Sequence, residues 1–443
     1  MEKIKRKKLF YRPAGKRKGG YTPTQIICGS FVIVIALGTF LLSLPIASRH
    51  GRLDVLDAMF TATSATCVTG LIVRDTWTQF TFFGQAVILL LIQVGGLGLV
   101  TLTSFFALAM RRRMGFRDLR VLGESVSADG YAQAKDVLRI VVGLAALFEG
   151  IGILLLLVAF VPQFGLQGIW ISIFTAISAF CNAGFDLFGQ FGAYSSLVPY
   201  VHNYYVQAVV MFMIIAGGLG FMVWVELIQY PKKRKLSLHA RVVLIFSVLL
   251  WVGGAALIGL LEWNNPASMG NLSAGDKIMA SLFQSVSTRT AGMNTIDLAA
   301  CGPITKLLMS VLQFIGAAPG STGGGVKVTT FAVLFLTIRS VAQGRDDCVI
   351  ADHHIESKTV YRALTIIVIG ALAAFGSAVV VYYNTSDAVS VIDAIFESCS
   401  AFGTVGLSVG VTGRLNNAAK VLYMLVMFTG RVGPVSLAMS LTA

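Results

Sequence analysis

The chain has 443 residues, of which 56% are hydrophobic and only 13% are charged, and its mean hydropathy is +0.77. This composition lies far above the apolar content of soluble proteins and approaches that of polytopic membrane proteins, so it excludes an ordinary water-soluble fold. The formal net charge of +14 suggests a polyanionic partner such as nucleic acid, and the distribution of the basic residues along the chain tests that idea.

The first 20 residues are strongly basic. They hold nine of the 35 Lys and Arg residues and no small-residue cleavage site ahead of the first long apolar segment. A cleaved signal peptide is therefore not expected. Residues 1–20 are predicted to be a cytosolic basic tail that can contact anionic membrane lipid.

Eight segments are apolar and long enough to cross a membrane. Each holds about 20 or more residues with almost no charge, the length that a helix needs to traverse the hydrocarbon layer. In chain order they are Thr24–Ala47, Phe80–Met110, Leu138–Val161, Tyr200–Gln229, Val242–Leu261, Ile304–Ile338, Ala363–Tyr383 and Ala419–Leu441.

A shorter apolar segment lies between the two members of each pair of spans. These segments are Val55–Thr66, Gly168–Phe180, Ala274–Val286 and Val389–Ala401, and their length favours re-entrant half-helices over full crossings. The sequence therefore predicts an all-α integral membrane protein. Four parallel repeats of span, pore helix and span surround a pseudo-fourfold axis, with eight transmembrane helices in total. The predicted repeats are residues 21–115, 116–234, 235–345 and 346–443.

The basic residues lie mainly in short stretches at the ends of the spans. Besides the nine in the tail, seven lie in Arg111–Arg139, five in Lys232–Arg241 and four in Arg339–Arg362, so 25 of 35 fall on one side of the membrane. By the positive-inside rule, both termini and the loops between repeats are predicted to be cytoplasmic. A compact basic domain with stacking aromatic residues is missing, so no nucleic acid partner is expected.

Each half-helix runs into a glycine hairpin. The glycines Gly70, Gly184, Gly292 and Gly406 are 114, 108 and 114 residues apart, and each follows a serine by five or six residues. This regular spacing indicates one unit repeated four times. The residues of the four hairpins are Cys67, Val68, Thr69, Gly70, Cys181, Asn182, Ala183, Gly184, Thr290, Ala291, Gly292, Gly403, Thr404, Val405 and Gly406.

Four such hairpins around one axis favour a selectivity filter for potassium. Non-helical backbone at membrane depth is tolerated only when it is buried in protein or lines a water-filled path. Carbonyl oxygens that point at an axis replace the hydration shell of an alkali cation, and Thr404–Leu407 is close to the TVGYG loop of potassium channels. The C-terminal ends of the half-helices add partial negative charge that favours a cation. The alternative is that these glycines only permit close helix packing.

The sixth predicted span, Ile304–Ile338, is too long for one crossing and is interrupted by Pro319 and several glycines. A continuous helix does not tolerate this sequence, so two half-helices joined by an intramembrane loop are predicted. The run Gly320–Lys327 departs from a nucleotide-binding P-loop because Val326 separates the glycines from the lysine and no strand precedes it.

The hairpins, together with Gln93–Gly98 and the run Gly316–Lys327, resemble the Trk/Ktr/HKT superfamily of potassium transporters, and most closely its KtrB-type membrane subunit. The resemblance covers nearly the whole chain. It implies a homodimer with one pore per protomer, a bacterial cytoplasmic membrane location and a cytosolic ring of nucleotide-binding RCK-type subunits. Gly70 in the first hairpin resembles the potassium-selective members.

The same resemblance implies that the loop in the sixth span blocks the pore and that Arg431, in the last span, faces it. Snorkelling of Arg431 to the cytoplasmic interface is the alternative. Ala317 and Ala318 depart from the family pattern, in which a second glycine is usual. The predicted gate residues are Gly320, Ser321, Thr322, Gly323, Gly324, Gly325, Lys327 and Arg431.

Several other polar residues receive structural interpretations. Arg289 is expected to pair with Asp297 or Glu397 behind the filter, whereas three aspartates near half-helix starts are interpreted as N-terminal caps. These aspartates are Asp57, Asp276 and Asp393. The acidic and histidine-containing stretch 346–356 fits a loop that touches the regulatory ring better than a metal site.

The six cysteines show no CxxC pair and are expected to be buried without a disulfide or zinc site. The serines lack a His and carboxylate in register, so the chain is not expected to be an enzyme and needs no intrinsic cofactor. The favoured function is channel-like potassium uptake, with K⁺ as the transported ion. The alternative is a secondary transporter that couples potassium to sodium or protons, and the parallel repeats argue against it.

Overall fold

The computed structural model describes residues 22–98, 131–344, 349–350, 353–385 and 389–442. The predicted basic tail, the basic stretch from Arg111 to residue 130 and the end of the second predicted span lie outside these residues. In the described part the chain is almost wholly helical.

Sixteen α-helices follow one another along the described residues. They are α1 (Pro23–Leu42), α2 (Val55–Thr66), α3 (Thr76–Gln79), α4 (Phe82–Leu97), α5 (Tyr131–Phe164), α6 (Gln167–Phe180), α7 (Tyr204–Gly218), α8 (Phe221–Lys233), α9 (Leu238–Glu262), α10 (Ala274–Ser287), α11 (Pro303–Phe314), α12 (Val328–Ala342), α13 (Ser357–Asn384), α14 (Val391–Gly403), α15 (Asn417–Val432) and α16 (Pro434–Thr442).

Four of these helices, α1, α5, α9 and α13, are long and apolar enough to cross a membrane by themselves. Two pairs, α7 with α8 and α15 with α16, pass the same test only together, because they are bent by 101° and 100°. The described residues therefore hold four to six membrane-crossing helices by this test, and the predicted total of eight is not reached. The shorter apolar helices include α4 and α12.

The two bends correct the prediction of continuous spans at Tyr200–Gln229 and Ala419–Leu441. Each bend lies at a glycine with positive φ, Gly220 at +89° and Gly433 at +91°. A left-handed backbone ends an α-helix, and Pro434 then begins the following helix at a position where its missing N–H costs nothing. The chain thus turns sharply at both places.

The sixth predicted span is divided into two helices. Helix α11 ends at Phe314 and α12 begins at Val328, so residues 315–327 form a non-helical segment, called here the intramembrane loop. Hydrogen bonds from Gly316 N to Val326 O (2.8 Å) and from Val326 N to Phe314 O (3.3 Å) join the two ends of this loop.

The half-helices α2, α6, α10 and α14 form the centre of the molecule. Each packs along the long helix that precedes it in the chain. Each also carries a phenylalanine ten residues, or in α10 nine, before the hairpin glycine, and all four rings are fully buried. These residues are Phe60, Phe174, Phe283 and Phe396. Burial of an aromatic side chain of this size stabilises each half-helix by about 2–3 kcal/mol.

A short β-hairpin is the exception to the all-helical prediction. Val349–Ile350 pairs antiparallel with His353–His354, in the stretch that was predicted to be a loop. Residues 346–348 and 351–352 of that stretch lie outside the described residues.

The interpretation of three aspartates as helix caps is wrong. Asp57, Asp276 and Asp393 are the third residues of their helices, and Ser273 and Ser390 cap two of them. The Ser273 and Ser390 hydroxyls accept hydrogen bonds from the Asp276 and Asp393 N–H groups, at 3.2 and 3.0 Å.

The three carboxylates instead join sequence segments that are far apart. Asp57 pairs with Arg74 (2.9 Å) and with Lys420 of α15 (2.6 Å). Asp393 pairs with Lys306 of α11 at 2.8 Å, and Asp276 contacts His202 at 2.9 Å. The Asp57–Arg74 pair lies within the first predicted repeat, whereas the contacts with Lys420, Lys306 and His202 fasten the start of a half-helix to a neighbouring predicted repeat.

We expect Asp57→Ala to destabilise the fold by about 3 kcal/mol, because it leaves the ammonium of Lys420 unpaired in a largely buried position. The matched control is Asp54→Ala, since Asp54 is exposed and makes no capping hydrogen bond, and its expected effect is below about 0.5 kcal/mol. Thermal unfolding in detergent measures both. Equal shifts of the two midpoints would contradict a structural role for the ion pair.

Candidate functional site

The four hairpins share one backbone conformation. Two residues before each glycine, a non-glycine residue has positive φ: Val68 (+56°), Asn182 (+57°), Thr290 (+81°) and Thr404 (+51°). The glycines that follow also have positive φ: Gly70 (+89°), Gly184 (+71°), Gly292 (+77°) and Gly406 (+94°). Positive φ is rare for non-glycine residues and strained for β-branched ones, so its fourfold recurrence marks the hairpins as a candidate site.

The serine ahead of each glycine holds the hairpin in this shape. Ser64 and Ser400 accept hydrogen bonds from the N–H groups of Gly70 (3.1 Å) and Gly406 (3.0 Å). In the other two hairpins the serine hydroxyl donates to the carbonyl after the glycine, from Ser178 to Phe185 (2.6 Å) and from Ser287 to Met293.

The serine carbonyls receive the N–H of the residue before the glycine in all four hairpins. The four N···O distances lie between 2.8 and 3.0 Å, and the donors are Thr69, Ala183, Ala291 and Val405. In each hairpin the N–H before the glycine is thus satisfied from within, so no hairpin carbonyl is needed as its acceptor.

The glycines meet in a closed ring. A methyl group added to Gly70 would lie 2.9 Å from the Cα of Gly184, one on Gly184 would lie 3.0 Å from Gly292, one on Gly292 would lie 3.1 Å from Gly406, and one on Gly406 would lie 2.9 Å from Gly70. Each added methyl would also approach the carbonyl oxygen that precedes the next glycine. These oxygens belong to Ala183, Ala291, Val405 and Thr69. No side chain fits in this ring.

One cavity of about 280 Å³ opens onto the ring and is lined by all four glycines. Its lining residues include Asp186, Asp297 and Tyr194. Burial raises the pKa of Asp186 to about 7, with Asp75 adding to the shift and a hydrogen bond from the Phe188 N–H opposing it. This wall therefore gains negative charge as the pH rises through about 7.

The intramembrane loop lies against the opposite end of the hairpins, at the residues that precede the glycines. Gly324 donates from its N–H to the Thr404 hydroxyl (3.0 Å), and the Thr322 hydroxyl donates to the Phe180 carbonyl (3.0 Å). A methyl on Gly323 would collide with the Thr290 side chain. The loop thus contacts the third and fourth hairpins and the end of α6, which leads into the second hairpin.

Arg431 connects the loop to α4. Its guanidinium donates to the carbonyl oxygens of Thr322, Gly95 and Gly96, the last at 3.1 Å. A snorkelling arginine would end at the interface, whereas this one ends on backbone carbonyls of the loop and of α4. Lys327 donates to the Gly323 carbonyl at 2.6 Å and braces the loop from within.

The remaining predicted gate residues also lie in the loop. The Ser321 hydroxyl donates to the Ala318 carbonyl of the same loop at 2.6 Å. The Gly320 carbonyl accepts from Phe221 N (2.9 Å), and Gly325 N donates to the Gly430 carbonyl (3.2 Å).

Arg289 does not pair with a carboxylate as predicted. Its Nη2 donates to the Gly316 carbonyl (3.0 Å), and its guanidinium lies 5.6 Å from the Trp251 ring centroid. Glu397 is occupied by Ser408, Thr412 and neighbouring N–H groups, and Asp297 is exposed at the cavity.

Two features of the site were missed by the sequence analysis. Glu149 is only 9% exposed within α5, where it accepts from the Gln93 amide (2.9 Å), and Cys181 lies 4.0 Å from it. The bends at Gly220 and Gly433 close the sequences Gly217–Gly220 and Gly430–Gly433, which repeat the pattern of Gly95–Gly98. That repetition is visible in the sequence and was the signal for the bends.

The acidic and histidine-containing stretch 346–356 is only partly described. Among the described residues, no group of three or more His, Cys, Asp or Glu residues is arranged to hold a metal ion. Asp346, Asp347 and Asp352 of that stretch lie outside those residues, as does Cys348. The five described cysteines are buried and free.

Comparison with known proteins gives consistent matches over the whole chain. Residues 7–442 match the family model TrkH, described as a cation transport protein. Ktr system potassium uptake protein B of Vibrio alginolyticus is 37% identical over 99% of this chain and 95% of its own length. The protein of the same name from Bacillus subtilis is 35% identical over 95% of this chain and 93% of its own length.

Two further relatives add to this picture. The potassium/sodium uptake protein NtpJ of Enterococcus hirae is 36% identical over 95% of this chain and 93% of its own length. The crystal structure of the potassium transporter TrkH from Vibrio parahaemolyticus superimposes with a TM-score of 0.71 at 18% identity, covering 97% of this chain and 86% of that one. The fold is therefore of the TrkH type.

We expect Ser400→Ala to destabilise the protein by about 1–3 kcal/mol, because it leaves the buried Gly406 N–H without its acceptor. Thr365→Ala is the control, since that hydroxyl is exposed and bonds only within its own helix. Thermal unfolding in detergent compares the two variants. If Ser400→Ala shifts the midpoint no further than the control, the serine does not hold the hairpin.

Proposed function

The chain belongs to the TrkH family of cation transport proteins, and from that premise we propose that it takes up potassium through a channel-like pathway across a bacterial cytoplasmic membrane. The observation that carries the proposal is the closed ring of Gly70, Gly184, Gly292 and Gly406. The names of the relatives from Vibrio alginolyticus and Bacillus subtilis support potassium as the transported ion.

In this proposal the four hairpins form the selectivity filter. The N–H groups before the glycines are bonded to serine carbonyls, which leaves the hairpin carbonyls available to replace the water around a cation. The four half-helices end at the filter, and their C-terminal partial negative charge favours a cation there. The carboxylates of Asp186 and Asp297 at the cavity raise the local cation concentration.

The intramembrane loop is proposed to be the gate. It contacts the hairpins on the side away from the cavity, and Arg431 and Lys327 place two positive charges beside it. A loop in this position blocks an ion that leaves the filter. Opening requires the loop to give up the bonds from Gly324 to Thr404 and from Thr322 to Phe180.

The topology and assembly are part of the same proposal. Four parallel repeats would place eight spans around the filter, with both termini in the cytoplasm. Two copies of the chain would form a homodimer, and a cytosolic RCK-type ring would control the gate. The relatives' designation as protein B of a system supports a multi-component assembly.

Coupled transport is the second candidate function. The buried carboxyl of Glu149 lies within a membrane-crossing helix, where ionisable groups mark ion or proton pathways, and the Enterococcus hirae relative is named for both potassium and sodium. Potassium flux into liposomes, measured without sodium and at equal pH on both sides, separates the two mechanisms. A channel-like pathway conducts under these conditions without moving protons, whereas a sodium-coupled transporter stops and a proton-coupled one changes the internal pH as potassium enters.

We expect Gly70→Ser to reduce potassium over sodium selectivity about tenfold, because its Cβ would lie 2.9 Å from the Gly184 Cα and force the ring apart. A tenfold change corresponds to a difference of about 1.4 kcal/mol between the binding free energies of the two ions. Radioactive rubidium and sodium uptake into liposomes measures the ratio. Gly51→Ser is the matched control, because Gly51 also has positive φ (+85°) but has open space around it. Unchanged selectivity in Gly70→Ser would contradict the filter assignment.

Deletion of Ala318–Gly325 is expected to raise basal rubidium flux, because it removes the loop contacts with the hairpins. Thr365→Ala serves as control, since that exposed hydroxyl bonds only within its own helix, away from the loop, and its flux should match the wild type. Gel filtration must show normal assembly of the deletion variant. Loss of flux in a normally assembled deletion variant would refute the blocking role.

A further inference from the structure

Arg289 is a buried charge without a counter-charge among the described residues. The residue is 4% exposed, its Nη2 donates to the Gly316 carbonyl, and the Trp251 ring lies under its guanidinium. Its Nε and Nη1 have no hydrogen-bond partner in the described part of the chain. A charge in this position is costly, and such residues in membrane proteins generally serve a function.

The acceptor of Arg289 lies at the neck of the intramembrane loop, the pair formed by Gly316 and Val326. Gly316 N donates to Val326 O, and Ile315 forms a parallel bridge with Val326, so the loop is closed at its base. The Gly316 carbonyl comes two residues after α11 ends, where a backbone carbonyl has lost its helical partner. Arg289 supplies that missing partner.

The third hairpin touches the loop at two points, and the Arg289 contact is one of them. Arg289 reaches the neck, and the next residue, Thr290, packs against Gly323 near the tip. The residues equivalent to Arg289 in the other hairpins are uncharged: Cys67, Cys181 and Gly403. A shift of the third hairpin therefore moves both the base and the tip of the loop.

We propose that Arg289 is a positioning residue that couples the third hairpin to the intramembrane loop and holds the loop in its closed position. The inference rests on the proposed role of the loop as a gate. Without the guanidinium, the Gly316 carbonyl loses its buried donor and the neck is free to separate from the hairpin. The hairpin backbone bond from Ala291 N to Ser287 O does not involve Arg289, so the filter itself remains formed.

The test is Arg289→Gln, in the intact chain and in the chain that lacks Ala318–Gly325. In the intact chain we expect basal rubidium flux to rise about fivefold, the effect of one lost buried hydrogen bond on a two-state equilibrium, with potassium over sodium selectivity unchanged. In the loop-deleted chain the substitution should add nothing. An equal rise in the loop-deleted chain, or a loss of selectivity, would overturn the proposal.

The accessibility of the loop to a thiol reagent is measured together with the flux. With Ser321→Cys in the loop, Arg289→Gln should increase the rate of modification by a hydrophilic thiol reagent. The matched control is Gln284→Leu, which removes a buried polar side chain without a described partner from α10, the half-helix that leads into this hairpin, but leaves the Gly316 contact in place. If Gln284→Leu raises flux and modification as much as Arg289→Gln, the effect is general loosening and the proposal fails.

The results of loop deletion and of Arg289→Gln together distinguish a failure of the gate assignment from a failure of the coupling role of Arg289. If loop deletion leaves the flux unchanged, the gate assignment fails whatever Arg289 does. If loop deletion raises the flux and Arg289→Gln does not, only the coupling role fails. Should Arg289→Gln not fold, Trp251→Leu removes the ring beneath the guanidinium, and a smaller rise in flux is expected. No rise in that folded variant would overturn the proposal.

Discussion

The rest of the structure depends on how non-helical backbone is satisfied inside an apolar protein. An unpaired peptide group at membrane depth costs several kcal/mol, so each hairpin must supply partners for its own N–H groups. The carbonyls of the half-helix serines accept the N–H before each glycine, and the Ser64 and Ser400 hydroxyls also accept the N–H of the glycine itself. The carbonyl groups that precede the glycines are not needed for these bonds, and the absence of side chains on the four glycines allows the hairpins to approach one another around a ring.

Buried charged side chains also contact partners, and these partners lie in segments that are far apart in the sequence. Asp57 joins α2 to Lys420 of α15, and Arg431 joins the intramembrane loop to the end of α4. Arg289 joins a hairpin to the base of that loop. Since isolated charges are costly in this environment, each partner is strongly specified, and these contacts define the relative positions of the hairpins and the loop.

Local sequence signals predicted the half-helices, the hairpin glycines and the interruption of the sixth apolar segment, because short apolar length, glycine and proline act on the backbone where they stand. The bends at Gly220 and Gly433 were missed because hydropathy continues across them. The partner of Arg289 and the roles of Asp57 and Asp393 depend on packing between residues far apart in sequence, which no local pattern contains. Glu149 was overlooked because a single carboxyl barely changes the hydropathy of a long segment.

The most direct test of the account is the location of a heavy potassium substitute in the protein. A crystal soaked in rubidium or thallium ions, measured for anomalous scattering, should show a peak on the axis of the glycine ring, surrounded by the carbonyls of Thr69, Ala183, Ala291 and Val405. Density for lipid in the ring, or ions bound only at the cavity carboxylates, would contradict the claim that these hairpins dehydrate and select a monovalent cation.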